Sequence, residues 1–315
     1  MEGMARSLHG EQLKRILLES ARPRPRVRRT RQDLLGMDPR LRLLQLSDPH
    51  LLADPAGSLR GRRPAALLRH GLRQALAQLQ ADGAFPDRLL ISGDLCHDES
   101  WGGYRRLGEI LRSELPEPLP APTPGGIATP ILLAGNHDHP QLLRAALSQQ
   151  ARIGPGLWPL EPAPGWSLLA LDSHCAGREG GRLDSAQWAW LEQALTSPAA
   201  AVPLLVALHH PPLAIGDPGF DAIALEEGER LMALLAAAPQ VRGVVFGHVH
   251  QHWQGCLPGR PEVPLLGCPS TLIGYGPVQP CPLGRAADPG GRLLELGEEG
   301  EIRHRLLRWP ALECP

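Results

Sequence analysis

Five short apolar runs in this 315-residue chain each end in side chains able to hold a metal ion. Leu41 to Ser47 runs into Asp48-Pro49-His50, and Leu89 to Ser92 runs into Gly93-Asp94. Ile131 to Ala134 runs into Gly135-Asn136-His137-Asp138. Leu204 to Leu208 runs into His209-His210-Pro211, and Val244 to Phe246 into Gly247-His248-Val249-His250. Runs this short, bounded by glycine and proline, read as buried strands. Between them lie longer stretches with helical periodicity. Pro64 to Ala81 places Leu68, Leu72, Ala75, Leu76 and Leu79 on one face, with proline at its start. Helical patterns also cover residues 101–115, 141–150 and 225–238, and Ser167 to Leu171 reads as a further strand. Asp184-Ser185-Ala186-Gln187 reads as a capping box opening a helix that carries Trp188, Leu191 and Leu195. After Gln251 the pattern is all β, and Arg292 to Leu296 with Ile302 to Leu307 predicts a hairpin. Alternating strands and helices followed by late strands imply a layered α/β domain. In such sheets ligands bind outside the carboxyl ends of the strands, where these polar groups stand.

Composition narrows the partners. The net charge is −1, so no bulk field draws the chain to nucleic acid or to a membrane surface. No apolar run approaches the roughly eighteen residues of a membrane span. The six cysteines are scattered, without a C-x-x-C pair, which fits a reducing compartment. The arginine-rich N-terminus lacks the apolar centre of a secretory signal, so the expected location is cytoplasmic. Residues 1–39 read as a basic, partly disordered extension, and residues 40–315 as the catalytic domain. Within the extension, Leu13, Ile16 and Leu17 could line a short helix, and Arg22 to Arg31 a solvated linker.

The residue types suggest the chemistry. Carboxylates and neutral imidazoles suit Fe, Mn, Zn and Ni. A single Asp at a tight Gly-Asp turn can bridge two ions, and the neutral amide of Asn136 limits the negative charge shown to an anionic substrate. His97, His139, His210 and His252 stand near these motifs, and spacing leaves each open between a role at the site and an ordinary loop or strand position.

Taken in order, Asp48-x-His50, Gly93-Asp94, Gly135-Asn136-His137-Asp138, His209 and Gly247-His248-x-His250 resemble the signature of the calcineurin-like metallophosphoesterase superfamily. Finer features resemble its bacterial class III (CpdA-type) 3′,5′-cyclic-nucleotide phosphodiesterases: Leu171-Asp172-Ser173, the segment from Gly181 to Leu191, and Pro269-Ser270-Thr271. The resemblance implies an α-β-β-α sandwich of two mixed sheets flanked by helices. It implies two metal ions per chain, Fe and Mn first and Zn as an alternative. Asp48, His50, Asp94 and His250 would hold one ion, and Asp94, Asn136, His209 and His248 the other. His137 would be the catalytic group over the substrate phosphate, with Asp138 or Asp98 orienting it. The implied activity is hydrolysis of cAMP, and of cGMP, by water activated between the ions. Other phosphate esters of small molecules, or a non-catalytic scaffold of the same fold, are the alternatives. The complete ligand set and the presence of His137 argue against a scaffold.

Overall fold

Near-continuous apolar runs let the central strands, such as Ser167–Ala170 and Leu204–Leu208, bury both of their faces. The computed structural model describes residues 40–116, 127–160, 165–197 and 201–310. The expected N-terminal helix and basic linker lie outside the described residues, as do Cys314 and most of the proline-rich stretch 114–130. One six-stranded sheet runs in the order β12 (Ile302–Arg308), β11 (Gly290–Leu296), β1 (Leu41–Leu46), β2 (Arg88–Ile91), β3 (Ile131–Leu132), β4 (Arg152–Ile153). The other runs β5 (Gly156–Pro159), β6 (Ser167–Ala170), β7 (Leu204–Leu208), β8 (Val241–Phe246), β10 (Arg260–Gly267), β9 (Trp253–Leu257). Both are mixed. β1 to β4 are mutually parallel, as are β6, β7, β8 and β10, and the outer partners β11, β12, β5 and β9 are antiparallel.

Leu41 and Leu43 of β1 face Leu168, Leu205 and Val245 of the other sheet, forming the core between them. Leu44 and Leu46, on the opposite face, pack under three helices: α1 (Pro64–Ala81), α2 (Trp101–Glu114) and α3 (Pro140–Leu147). Leu68, Leu72 and Leu79 of α1 are fully buried there, and truncating one to alanine costs about 2–5 kcal/mol. Beneath the second sheet lie α4 (Ser185–Thr196) and α6 (Gly228–Ala236), with Trp188, Leu191, Leu231 and Leu235 inward. The order is therefore helix, sheet, sheet, helix, as the resemblance implied. No described helix is long and apolar enough to cross a membrane.

Three local expectations are corrected. Asp184 caps α4 by accepting from the Gln187 amide at 2.7 Å, but Gln187 does not complete a capping box. Its side-chain amide instead clasps the backbone of Asp172, accepting from N and donating to O, both at 2.7 Å. The helix expected from Leu225 begins at Gly228, because the amides of Leu225 and Glu226 donate to Pro211 and Gly181 carbonyls. A short helix not anticipated, α5 (Pro218–Asp221), is capped by Asp217 and carries Phe220.

Candidate metal centre

Each of the five apolar runs stops beside the others, at the carboxyl edge of both sheets. What aims the side chains is a backbone reversal. Asp48, His50, Asp94, His248 and His250 all adopt left-handed conformations, with φ between +47° and +67°. For residues with a Cβ this costs roughly 1–3 kcal/mol each, and it persists only where surrounding bonds enforce it. Here they do. The amides of Asp48 and His50 donate to the carbonyls of Gly93 and Asp94 at 3.1 and 2.9 Å, and the His248 amide donates to both oxygens of Asp48 at 3.2 Å. The motif glycines answer to close approach: a Cβ on Gly135 would stand 2.2 Å from Asp94 Oδ1, and one on Gly247 2.2 Å from Ser47 Oγ.

Two clusters result, and Asp94 is common to them. In the first, Asp48, His50, Asp94 and His250 bring ligand atoms within 4.8 Å of one another. His50 Nε2 lies 3.1 Å from His250 Nε2 and 3.5 Å from Asp94 Oδ2, and His250 Nε2 lies 3.3 Å from Asp48 Oδ1. In the second, His209 Nε2 lies 3.4 Å from Asp94 Oδ1, 3.2 Å from Asn136 Oδ1 and 3.3 Å from His248 Nδ1, which is itself 3.0 Å from Asn136 Oδ1. One oxygen of Asp94 thus faces each cluster.

The outer ring nitrogens decide what can sit between these atoms. His209 Nδ1 is 2.8 Å from the Ser92 carbonyl and His250 Nδ1 is 3.0 Å from the Ile273 carbonyl, so each ring's proton is used there. Their Nε2 atoms are left as lone pairs aimed at other lone pairs. Convergent acceptors this close, all buried but the half-buried Asn136, repel unless a cation lies among them. The donor set of each cluster fits a divalent transition metal, and outer hydrogen bonds set the tautomer of one ring in each, His250 and His209. His248 points the other way, Nδ1 inward, and its buried Nε2 has no protein partner.

The electrostatics agree. Burial, and then the charge of Asp48, push Asp94 up to about 7. Burial works against ionising Asp48 too, but His250, His209 and His50 around it hold its carboxyl well below the usual range. Burial and neighbouring imidazoles drive His50 and His248 well below their ordinary value, and burial lowers His209. Burial also opposes protonation of His250, but Asp48 and Asp94 outweigh it, and its pKa is raised. Neutral imidazoles at His50, His209 and His248, and carboxyls at Asp48 and Asp94 that draw positive charge onto His250, suit a bound cation.

The remaining residues fall into place around this centre. The His137 amide donates to Asp94 Oδ1 at 2.9 Å, and its ring stands at the mouth, 5.0 Å from that of His50 and 4.6 Å from that of His97. Neither carboxylate considered as its orienter reaches that ring by hydrogen bonds. Asp138 is fully buried and accepts from the amides of Gly135, Leu95 and Cys96 and from the Tyr104 hydroxyl, at 2.8 to 3.1 Å. Asp98 accepts from the Ala53 amide and the Ser100 hydroxyl. Asp138 therefore joins the loop bearing Asp94 to the loop bearing Asn136. Burial, then the charge of Asp94, push it up to about 7, while its three amide donors pull the other way.

His97 turns out to contact His50, Nδ1 to Nδ1 at 3.3 Å. Were His50 to hold a metal, its Nδ1–H would be free to donate to His97, an outer bond that spacing gave no means of seeing. His210 is packed against the second cluster, but Ser173 Oγ at 2.8 Å and the Glu179 carbonyl at 3.0 Å occupy both of its nitrogens. His139 caps α3, and His252 is turned away to Arg292. Sequence reasoning missed Gln45, which spans the two sheets below the centre by donating to Ser92 Oγ and the Phe246 carbonyl. A polar residue in the middle of an apolar strand was the available signal.

Fold and donor set together define a metallohydrolase built on paired mixed sheets. The family model for calcineurin-like phosphoesterases matches residues 41–252, and the chain belongs to that family. It is 46% identical to a probable cyclic nucleotide phosphodiesterase of Synechococcus sp. (strain WH7803), over 86% of this chain and 98% of that one. It is 32% identical to the 3′,5′-cyclic adenosine monophosphate phosphodiesterase CpdA of Pseudomonas aeruginosa, over 84% and 89%. Among solved structures, a dimetal phosphatase from Danio rerio shares the fold, with a TM-score of 0.56 and 15% identity, over 86% of this chain and all of that one.

Proposed function

We propose that this protein hydrolyses 3′,5′-cyclic nucleotides, cAMP and cGMP, to 5′-monophosphates. The observation that carries the chemistry is the pair of convergent acceptor clusters sharing Asp94. Asp48, His50, Asp94 and His250 would hold one ion, and Asp94, Asn136, His209 and His248 the other. Fe and Mn are the metals we assign, with Zn as an alternative. Bound there, two cations supply Lewis acidity toward the phosphoryl oxygens and lower the pKa of water. The chain's own part is orientation and proton transfer. A water gives up a proton to solvent and its oxygen bonds to phosphorus as the P–O3′ bond breaks, and His137 at the mouth delivers a proton to O3′. Asp138 acts through the two loops it ties and not on the substrate. Relatives named for cyclic-nucleotide hydrolysis, matched over nearly their whole length, support the substrate class. An open cleft of about 470 Å³ over the centre, walled by His137, Tyr275 and Phe220, leaves room for a nucleoside. The free cysteines fit a cytoplasmic setting.

Comparing kcat/KM for cAMP, cGMP, 2′,3′-cAMP and AMP with Mn²⁺ tests the reading. The two 3′,5′-cyclic substrates should lead and lie within about tenfold of each other, or about 1.4 kcal/mol. A monoester that wins by orders of magnitude would leave the phosphoesterase chemistry standing and remove the cyclic nucleotide.

A further inference from the structure

The cleft has a wall that hydrolysis itself does not use. On the side away from His139, two aromatic rings stand just outside the clusters. Phe220 meets the ring of His248 edge-on at 5.6 Å, and Tyr275 lies 5.0 Å from the ring of His250. The two rings touch each other, with centroids 5.7 Å apart. Ile223 continues this surface along the same cleft. Above Tyr275 lies the guanidinium of Arg60, 5.3 Å from the ring centroid.

These groups are held firmly relative to the centre. Arg60 sits in a left-handed turn closed by reciprocal bonds between Leu59 and Arg62 at 2.8 and 3.0 Å. Arg62 then donates to the Leu272 carbonyl at 3.0 Å, tying that turn to the segment bearing Tyr275. Ser270 Oγ donates to the Asp48 carbonyl at 2.8 Å and accepts from the amides of Leu272 and Ile273. On the other side, Asp221 accepts from the amides of Ile215 and Gly216, which sets the pitch of α5 and so the place of Phe220. The aromatic wall is therefore in register with the clusters before any ligand arrives.

We propose that Phe220, Tyr275 and Arg60 form a nucleobase subsite, and that it prefers purines. The inference rests on the cyclic-nucleotide reading and adds to it the group that is recognised. A flat heteroaromatic ring gains from aromatic faces whatever its sequence of donors, because every base has a π-face. An arginine beside that face adds planar donors, which match the N7 and O6 acceptors of guanine and the N7 of adenine. A pyrimidine lacks those acceptors and offers less area. The tie of Arg62 to Leu272 makes that arginine structural, which leaves Arg60 as the reader.

The test uses inhibition of methyl p-nitrophenyl phosphate hydrolysis by the full-length holoenzyme, since that diester carries no base. AMP and ribose 5-phosphate differ only by adenine, so the ratio of their inhibition constants reports the base alone. Taking the ratio within each variant cancels any change in common turnover. In the wild type AMP should bind on the order of tenfold more tightly, and CMP should fall between the two. Phe220→Ala and Tyr275→Ala should each bring the ratio toward one, and Arg60→Ala should weaken GMP more than AMP. Should an alanine variant fail to fold, Phe220→Leu and Tyr275→Leu keep an apolar side chain without the ring and should still lower the ratio. A wild-type ratio near one, or an unchanged ratio in both aromatic variants, would overturn the subsite. If cAMP is not hydrolysed while the ratio stays high, the function proposed above fails and the subsite stands. If cAMP is hydrolysed with a ratio near one, the reverse holds.

Discussion

Asp138→Asn changes one atom in a fully buried residue, and the geometry sets what that should cost. Oδ2 accepts from the amides of Gly135 and Leu95, and Oδ1 from the Cys96 amide and the Tyr104 hydroxyl. An asparagine can keep only one acceptor oxygen. Placing its NH₂ at the Oδ2 position would strand two backbone N–H groups. Placing it at the Oδ1 position strands one, that of Cys96, and turns aside the Tyr104 hydroxyl, whose oxygen already accepts from the His139 amide at 2.6 Å, so this orientation costs less. One buried, unsatisfied amide costs about 1–3 kcal/mol, and losing the charge on the remaining bonds adds about 1 kcal/mol. The sum, about 2–4 kcal/mol, corresponds to a fall in Tm of roughly 4–8 °C at about 2 °C per kcal/mol for a chain of this size. Because Asp138 ties the Asp94 and Asn136 loops, metal affinity should fall about 10- to 100-fold as well. Calorimetry of the metal-loaded protein and activity against a titration of Mn²⁺ measure the two effects. The opposite outcome has a definite meaning. Were the carboxyl protonated at working pH, its O–H would already face one donor, and asparagine would reproduce it. A variant with unchanged Tm and unchanged metal dependence would refute the ionised, four-donor role.

Further outcomes follow from the same structure. Protein purified without chelator should carry two metal ions per chain; Asn136→Ala should lower that number, whereas His137→Ala should keep both and lose about 10²-fold in turnover, as metal analysis beside kinetics will tell. Arg292, fully buried, donates to the Nδ1 atoms of His252 and His304, and burial together with that cation holds both imidazoles at about 4. Their folded pKa values lie below the unfolded one of about 6.5, so stability present above pH 6.5 should be lost as pH falls toward 4, and Arg292→Met should flatten that slope in urea titrations. Deleting residues 1–39, which hold none of the convergent donors, should leave hydrolysis of bis(p-nitrophenyl) phosphate intact; a folded but inactive truncation would tie the extension to the site.

Much of this protein was legible from one dimension. Strand β1 and helix α1 have the boundaries that the apolar run and the helical periodicity with its leading proline set, because a short apolar run and an amphipathic stripe are local properties. The seven ligand candidates were legible because each ends an apolar run, and a chain reversal at a sheet edge leaves only its last few residues to face the cleft. Helix α6 began late, and Gln187 abandoned its capping role, because backbone partners from Gly181, Pro211 and Asp172 outbid local preference. No sequence window contains those partners.

Which residues carry donor atoms, and in what order along the chain, was determined by the sequence alone. Only the folded chain decided which nitrogen of His209 and of His250 faces inward, since that depends on the carbonyls of Ser92 and Ile273, each distant in sequence from the ring it meets. The same holds for Asp138, which the resemblance offered as an orienter of His137 and whose burial under four donors makes it a brace. Phe220 and Tyr275, separated by more than fifty positions, became one surface only when α5 and the segment after β10 were packed against opposite clusters. Composition and spacing specify the chemistry a chain can offer; burial and hydrogen-bond partners, which are set by packing, specify which of those groups remain free to perform it.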